Sequence, residues 1–336
     1  MRIIRKAIAA LVLLAMLAGG WLFNFAQTVL PLPQSPYGFT IKHGSSLRGI
    51  ARQFVGDGLL TDAWSFVALV RVLGGEGQIK AGNYQLDQEI TALQLVRKIN
   101  RGDVSQSELV FIEGWNFRQV RKALDEHPAI RHETLGLSEH EVLRRLGIEN
   151  ISAEGLFFPD TYYFSSGMSD LSLLKRANQI MEKRLAEAWQ ERSPNLPYAT
   201  PYEALIMASI VEKETGRASE RPMIAAVFVN RLRIGMRLQT DPSVIYGLGE
   251  GFDGNLRKRD LTTDNAYNTY TRAGLPPTPI AMPGQGAIQA ALHPGATSAL
   301  YFVSKGDGSH YFSRNLEEHN QAVARYQKSY SRNRIN

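Results

Sequence analysis

The chain has 336 residues, enough for two or three compact units, and carries a net charge of +6 with 38 Lys and Arg scattered among 32 Asp and Glu. With no clustered, aromatic-spaced basic patch, nucleic acid is not the expected partner. The absence of cysteine excludes disulfides, thiol catalysis, Cys-ligated zinc and a lipoprotein anchor, and seven histidines without a His-Glu-x-x-His arrangement point away from a metal hydrolase, so neither a metal nor a cofactor is expected.

Arg2, Arg5 and Lys6 precede an almost wholly apolar run from Ala7 to Phe25, and no charge follows before Lys42. A run of about 20 such residues spans a bilayer and its basic flank stays in the cytoplasm. Residues 1–30 are therefore read as a cytoplasmic tip and a single-pass inner-membrane anchor, with everything downstream outside the cytoplasm. A cleaved signal peptide is the competing reading, because Ala18, Gly19 and Gly20 are small; but no clear A-x-A site follows and the apolar run continues through Trp21, Leu22 and Phe23. Pro31, Pro33 and Pro36 predict an extended linker over 31–38 that lifts the folded part off the membrane.

Residues 39–104 read as a small α/β module. Phe39 to Ile41 suits a short strand, and Ser46 caps a helix whose Leu47, Ile50, Ala51 and Phe54 form one apolar stripe. Thr61 and Asp62 open a second helix, Ile79 to Leu86 a second strand, and Thr91 a third helix closed by Gly102. The stretch from Ile41 to Phe54 resembles the opening of LysM modules, which bind N-acetylglucosamine polymers. The likeness covers only the first strand and helix, and a spacer or scaffold role is the alternative.

Residues 105–332 read as a larger α+β domain. A strand over Ser107 to Ile112 leads to a helix capped by Asn116, and Ser138 with Glu141 forms a capping box for the next. An aromatic segment, Glu154 to Tyr163, precedes a long amphipathic helix from Leu171 to about Gln190. Further on, Ser219 is placed to cap a helix through Leu232, Asp241-Pro242 to open a short one, and a helix through Leu292 precedes a hairpin from Leu300 to Ser313 and a final helix from Asn315.

The centre of this domain is Thr200 to Thr215. Thr200 is an N-cap, Pro201 suits the first helical position, and Glu203 completes a capping box. Leu205, Ile206, Met207, Ala208, Ile210 and Val211 leave no broad polar face, so the helix must be buried. At about 100° per residue Glu214 falls beside Met207, Ile210 and Val211, whereas Glu212 falls with Leu205 and Ser209 on nearly the opposite side. A carboxylate at the buried end of such a helix is either ion-paired, with Lys213, Arg217 or Arg221 as partner, or desolvated enough to hold its proton near neutral pH as a general acid.

Glu214-Thr215 is followed by Arg237 to Tyr246 (RLQTDPSVIY), Ala266 to Tyr270 (AYNTY) and Gly274 to Ile280 (GLPPTPI). Together with the anchor and the LysM-like opening, these motifs resemble the endolytic murein transglycosylases, the MltG or YceG-like family, in order and from the anchor to the final helix. The resemblance implies a membrane-anchored lyase that cuts nascent peptidoglycan glycan strands internally, at the β-1,4 bond from N-acetylmuramic acid to N-acetylglucosamine. It leaves 1,6-anhydro-muramic ends and ends strand growth. It implies Glu214 as the catalytic residue, and peptidoglycan synthases or elongation and division proteins as partners. The residue chemistry agrees, because one protonated carboxylic acid can serve both steps.

Gln239, Asp241, Tyr246, Asn268 and Tyr270 are the candidate substrate contacts, each with a structural alternative: Asp241 as a helix cap, the tyrosines as core, Asn268 as a turn residue. Glu220, in a first turn, is read as balancing the helix dipole. Two other functions stay open at this level. One is a muramidase that admits water and calls on Asp241; the other is a non-catalytic wall-binding or divisome scaffold.

Overall fold

An apolar stretch with charge only at its start closes its backbone hydrogen bonds as a helix, and α1 runs over Arg2–Gln27. In the computed structural model, which describes residues 2–104, 106–149 and 152–332, the 24 residues Ile4–Gln27 are long and apolar enough to cross a membrane. Ile8, Leu11, Leu14 and Leu17 stand exposed, and only the last turns pack, with Leu22, Phe25 and Ala26 joining a hydrophobic core.

The chain is α+β and divides into two compact units, Met1–Glu108 with Tyr163–Met168, and Leu109–Tyr162 with Ser169–Asn336. In the first unit α1 is followed by β1 (Val29–Leu30), β2 (Tyr37–Ile41), α2 (Leu47–Gly56), α3 (Ala63–Val72), β3 (Gly82–Leu86), β4 (Ile90–Thr91) and α4 (Ala92–Arg101). Strict alternation on β2 turns Tyr37, Phe39 and Ile41 inward. β2 lies antiparallel to β3, with Phe39 opposite Tyr84. Ser46, Asp62 and Thr91 each accept a main-chain N–H in the first turn of α2, α3 and α4. Between the strands and helices Phe39, Phe54 and Phe66 pack edge to face.

The proline-rich segment differs from its expected role as a spacer. Val29 and Leu30 pair with Thr91 and Ile90, and Leu30 and Tyr37 are both buried in the same core. Residues 31–36 therefore join two strands of one unit, because two apolar side chains on either side of the prolines gain more from the core than from solvent.

The chain leaves the first unit along β5 (Gln106–Val110) and forms α5 (Phe117–Asp125) and α6 (Glu139–Leu146), and from Tyr163 in β6 (Thr161–Ser165) to Met168 it again belongs to the first unit. Then follow α7 (Asp170–Gln190), α8 (Pro201–Glu214), α9 (Arg221–Arg233), α10 (Asp241–Leu248), α11 (Lys258–Thr262), α12 (Gln285–Leu292), β7 (Tyr301–Ser304), β8 (His310–Ser313) and α13 (Leu316–Arg332). α8 is the hub of the second unit: every residue from Ala204 to Val211 is buried, and α7, α9, α10 and α12 pack around it. Each large apolar side chain so buried contributes about 1.5–3 kcal/mol.

Three local expectations change. Ala218–Glu220 form a 3-10 turn, and α9 starts at Arg221 with no side-chain cap, so Ser219 is not a cap. Thr240 holds the N-cap position of α10 and Asp241 the first helical position, because Pro242 suits either of the first two helical places. Glu220 does not merely balance a dipole: it accepts hydrogen bonds from the His310 main-chain N–H at 3.0 Å and from His310 Nδ1 at 2.7 Å, tying the start of α9 to β8.

Candidate active site

The helical phase of α8 sends its two terminal carboxylates to different places. Ser209 and Glu212 face the loop before α12: Ser209 Oγ accepts from Ile280 N at 3.0 Å, and Glu212 Oε2 from Gly284 N at 2.9 Å. Arg221 Nη2 pairs with Glu212 Oε1 at 2.8 Å. Glu214 points the other way, into a cavity of about 540 Å³ walled by α9, α10, the β7–β8 hairpin and α13.

None of the three cations expected as partners serves Glu214. Arg221 is taken by Glu212, Lys213 Nζ donates to Gly114 O at 3.2 Å, and Arg217 Nη2 donates to Asp307 O at 3.0 Å. The side-chain hydrogen bond that Glu214 does receive comes from the Thr240 hydroxyl, on Oε1. Thr240 is itself fixed, its N–H donating to Thr269 Oγ1 at 3.0 Å and its carbonyl accepting from Ser243 Oγ at 2.8 Å.

Burial pushes the Glu214 carboxyl up to about 7, and the neighbouring charge of Asp241 adds to this; the Thr240 hydrogen bond, His310 and Arg231 pull it back. A neutral carboxylic acid and its carboxylate are thus both accessible near neutral pH. Arg231 is buried in the same wall, its Nε donating to Leu300 O and its Nη1 to Leu238 O, both at 2.6 Å, and its guanidinium lying 5.2 Å from the Tyr301 ring. Burial lowers its pKa. It gives the cavity a positive field from a fixed position.

The structure brings Glu214, Gln239, Asp241 and Tyr270 together around this cavity. Tyr270 donates its hydroxyl to Asp241 Oδ1 at 2.5 Å. Gln239 is held at φ +50°, a left-handed conformation that a non-glycine residue adopts at a cost of about 1–3 kcal/mol and that clusters at functional sites. Its main-chain N–H is tied to Thr269 O at 3.1 Å, which keeps the side chain at the cavity's rim.

Two of the candidates lie elsewhere. Asn268 is fully buried, its Nδ2 donating to the carbonyls of Asp260, Leu261 and Thr263 and its Oδ1 accepting from Tyr270 N at 2.9 Å. It braces the loop that carries Tyr270, because a buried amide must spend its donors on the nearest carbonyls. Tyr246 lines a neighbouring cavity of about 780 Å³ and donates its hydroxyl to Glu154 Oε2 at 3.1 Å.

Sequence reasoning did not single out Thr240, Arg231, Tyr301, Phe302 or His310 for the cavity. Thr240 lies inside the RLQTDPSVIY motif between two named candidates. An arginine amid the buried stripe of α9 was the sole signal for Arg231. Nothing in the sequence brings the hairpin residues to α8. Asp125, His132 and Asp170 place ligand-type atoms within 4.8 Å of one another, yet Asp170 already accepts from Glu133 N, Thr134 N and the Thr134 hydroxyl. Its carboxylate is a structural brace at the start of α7.

The sequence profile of the YceG-like family matches residues 39–325. An endolytic murein transglycosylase of Bacillus subtilis is 32% identical over 308 residues, covering 85% of this chain and 83% of that protein. One of Streptococcus pneumoniae is 27% identical over 364 residues, covering 96% of this chain, which spans 65% of that longer protein. The crystal structure of a YceG-like protein from Listeria monocytogenes superposes with a TM-score of 0.53 at 29% identity, covering 85% of this chain and 98% of that one.

Proposed function

The chain belongs to the YceG-like family, and from that premise we propose that it is a membrane-anchored lytic transglycosylase acting on peptidoglycan, with Glu214 as its general acid and then its base. The reading assigns cleavage to the β-1,4 bond between N-acetylmuramic acid and N-acetylglucosamine within nascent strands. α1 is its anchor, with Arg2, Arg5 and Lys6 on the cytoplasmic side and the residues that follow α1 outside.

The observation that carries the proposal is the Glu214 carboxyl, raised to about 7, which opens on the cavity of Gln239, Tyr270 and Tyr301 and receives one hydroxyl, on Oε1. With Oε1 engaged by Thr240, the proton of the neutral acid sits on Oε2. Glu214 gives that proton to the leaving O4 of N-acetylglucosamine as positive charge develops at C1 of N-acetylmuramic acid. The resulting carboxylate takes the proton from the C6 hydroxyl, O6 closes on C1, and the acid is restored. Proton transfer of this kind is worth about 10²–10⁴ in rate. Tyr301 and Phe302, with Gln239 and Tyr270, offer stacking faces and hydrogen-bonding groups for sugar rings.

A hydrolase reading is kept alive by one observation, that Asp241 shares the cavity with Glu214 and can in principle act on a water. Mass spectrometry of products from uncrosslinked glycan strands separates the readings. The full chain in detergent is the right sample, since Ala26 and Leu30 belong to the core of the first unit. Products one water lighter, with anhydro ends, are expected. Reducing ends would replace the lyase by a muramidase that uses Asp241, and intact strands incubated with folded protein would leave a scaffold.

A further inference from the structure

One face of the first unit plays no part in that chemistry. On α3, Trp64, Ala68 and Val72 recur every four residues, and Trp64 and Val72 are 69% and 72% exposed. Arg48 and Arg52, one turn apart on α2, join Arg71 of α3 around the same depression, of about 610 Å³. Arg71 is partly neutralised by Glu76, Nε to Oε2 at 3.1 Å. An exposed indole and an exposed valine beside three guanidinium groups make an amphipathic surface of the kind that sits where an apolar and an anionic phase meet.

The position of α1 says which boundary that is. The Trp21 ring of α1 lies 5.2 Å from the Trp64 ring and 6.3 Å from that of Phe25. The apolar span Ile4–Gln27 has 24 residues, about 36 Å at 1.5 Å per residue, against a hydrocarbon core of about 30 Å. Trp21, six residues from the end of that helix, then stands about 9 Å from it, within about 3–6 Å of the acyl–headgroup boundary, in the zone where tryptophan is favoured. Trp64, in contact with Trp21, is at the same depth, and the neighbouring arginines reach the layer of phosphates.

We propose that the α2–α3 face docks on the anionic phospholipid headgroups of the bilayer that α1 crosses, with Trp64 and Val72 seated in the interface and Arg48 and Arg52 on phosphodiesters. The proposal rests on α1 being the membrane anchor. A single spanning helix leaves a domain free to swivel about it, whereas a second, interfacial contact fixes which way the first unit faces.

The absence of cysteine makes a site-specific test direct. Val72→Cys and, separately, Phe23→Cys are labelled with bimane in the full chain and placed in nanodiscs containing phosphatidylglycerol and a headgroup-region spin-labelled lipid. The Val72 label is expected to lose at least half its fluorescence, and Arg48→Glu with Arg52→Glu is expected to cut that quenching at least threefold while leaving the Phe23 label quenched. Quenching at Phe23 without quenching at Val72 overturns the docking, keeps the anchor, and leaves the face to a protein or glycan partner. Quenching at Val72 that ignores both charge reversal and replacement of phosphatidylglycerol by phosphatidylcholine also overturns it. A silent Phe23 label overturns the anchor and the docking together.

Discussion

Two glutamates of the second unit are pushed up to about 7 by burial, Glu154 and Glu214, and they are built for different work. Glu154 sits at the start of α5, where both of its oxygens accept from the main-chain N–H of Phe117 at 3.1 Å and Oε2 also accepts from the Tyr246 hydroxyl. It satisfies a donor that the helix leaves open and opposes the positive end of the helix dipole. Glu214 closes α8 at its C-terminal end, receives one hydroxyl, and opens on the cavity of aromatics and Arg231. A raised pKa by itself therefore does not identify a catalytic acid. Both line cavities, but Glu154 is 3% exposed with both oxygens accepting hydrogen bonds, whereas Thr240 engages Oε1 of Glu214 and leaves Oε2 for a substrate atom.

The comparison is broken most directly by exchanging the two carboxyls for amides. Glu214→Gln is expected to lower release of anhydro-muropeptides by about 10³-fold, within the range of general acid catalysis. Its unfolding temperature should stay level or rise above pH 7, since both pKa values lie above the ordinary 4.5. The stability that each group confers is full below 4.5 and is lost as pH rises through about 7, by roughly 3 kcal/mol when fully ionised. Glu154→Gln should cost about 1–3 kcal/mol at low pH by presenting an amide donor or a lost acceptor to Phe117 N–H, a deficit that narrows as pH rises through about 7 and wild-type Glu154 ionises, with turnover held within about tenfold. Equal loss of turnover in both variants, read with equal melting temperatures, would erase the distinction.

Thr240→Val sharpens it on the catalytic side. Wild-type kcat/KM should fall as pH rises above about 7, because the first step needs the protonated acid. The Thr240 hydroxyl holds the Glu214 carboxyl down, so its removal should move that limb to higher pH and lower the rate about tenfold, the equivalent of one lost hydrogen bond. An unmoved limb in the pH–rate profile would detach the hydroxyl from the acid. The smallest effect is expected for Tyr246→Phe, a loss of about 1 kcal/mol in stability with unchanged turnover. A rise in KM without a change in melting temperature would return Tyr246 to the substrate cleft.

Much of the framework was legible because it rests on short-range chemistry. Ser46, Asp62, Thr91, Asn116 and Thr200 cap the helices that their positions predict, since a cap bond joins residues three apart. The all-round apolar character of Leu205 to Val211 placed α8 in the core, and helical phase alone separated Glu212 from Glu214. The cap position of α10 fell on Thr240 instead of Asp241, a shift of one residue that Pro242 permits because it suits either of the first two helical places.

What the linear sequence determined, then, was the apolar N-terminal helix, the order of elements, the buried helix and the carboxylate at its end, because each follows from periodicity or from neighbours within a turn. The tertiary structure decided which groups surround that carboxylate. Arg231 comes from α9, Thr240 from the turn before α10, and Tyr301 and His310 from a hairpin some 90 residues beyond Glu214 in the chain. It also turned Asn268 and Tyr246 away to brace a loop and a second carboxylate. Such choices depend on which distant donors and acceptors share a buried space, and no local spacing encodes that.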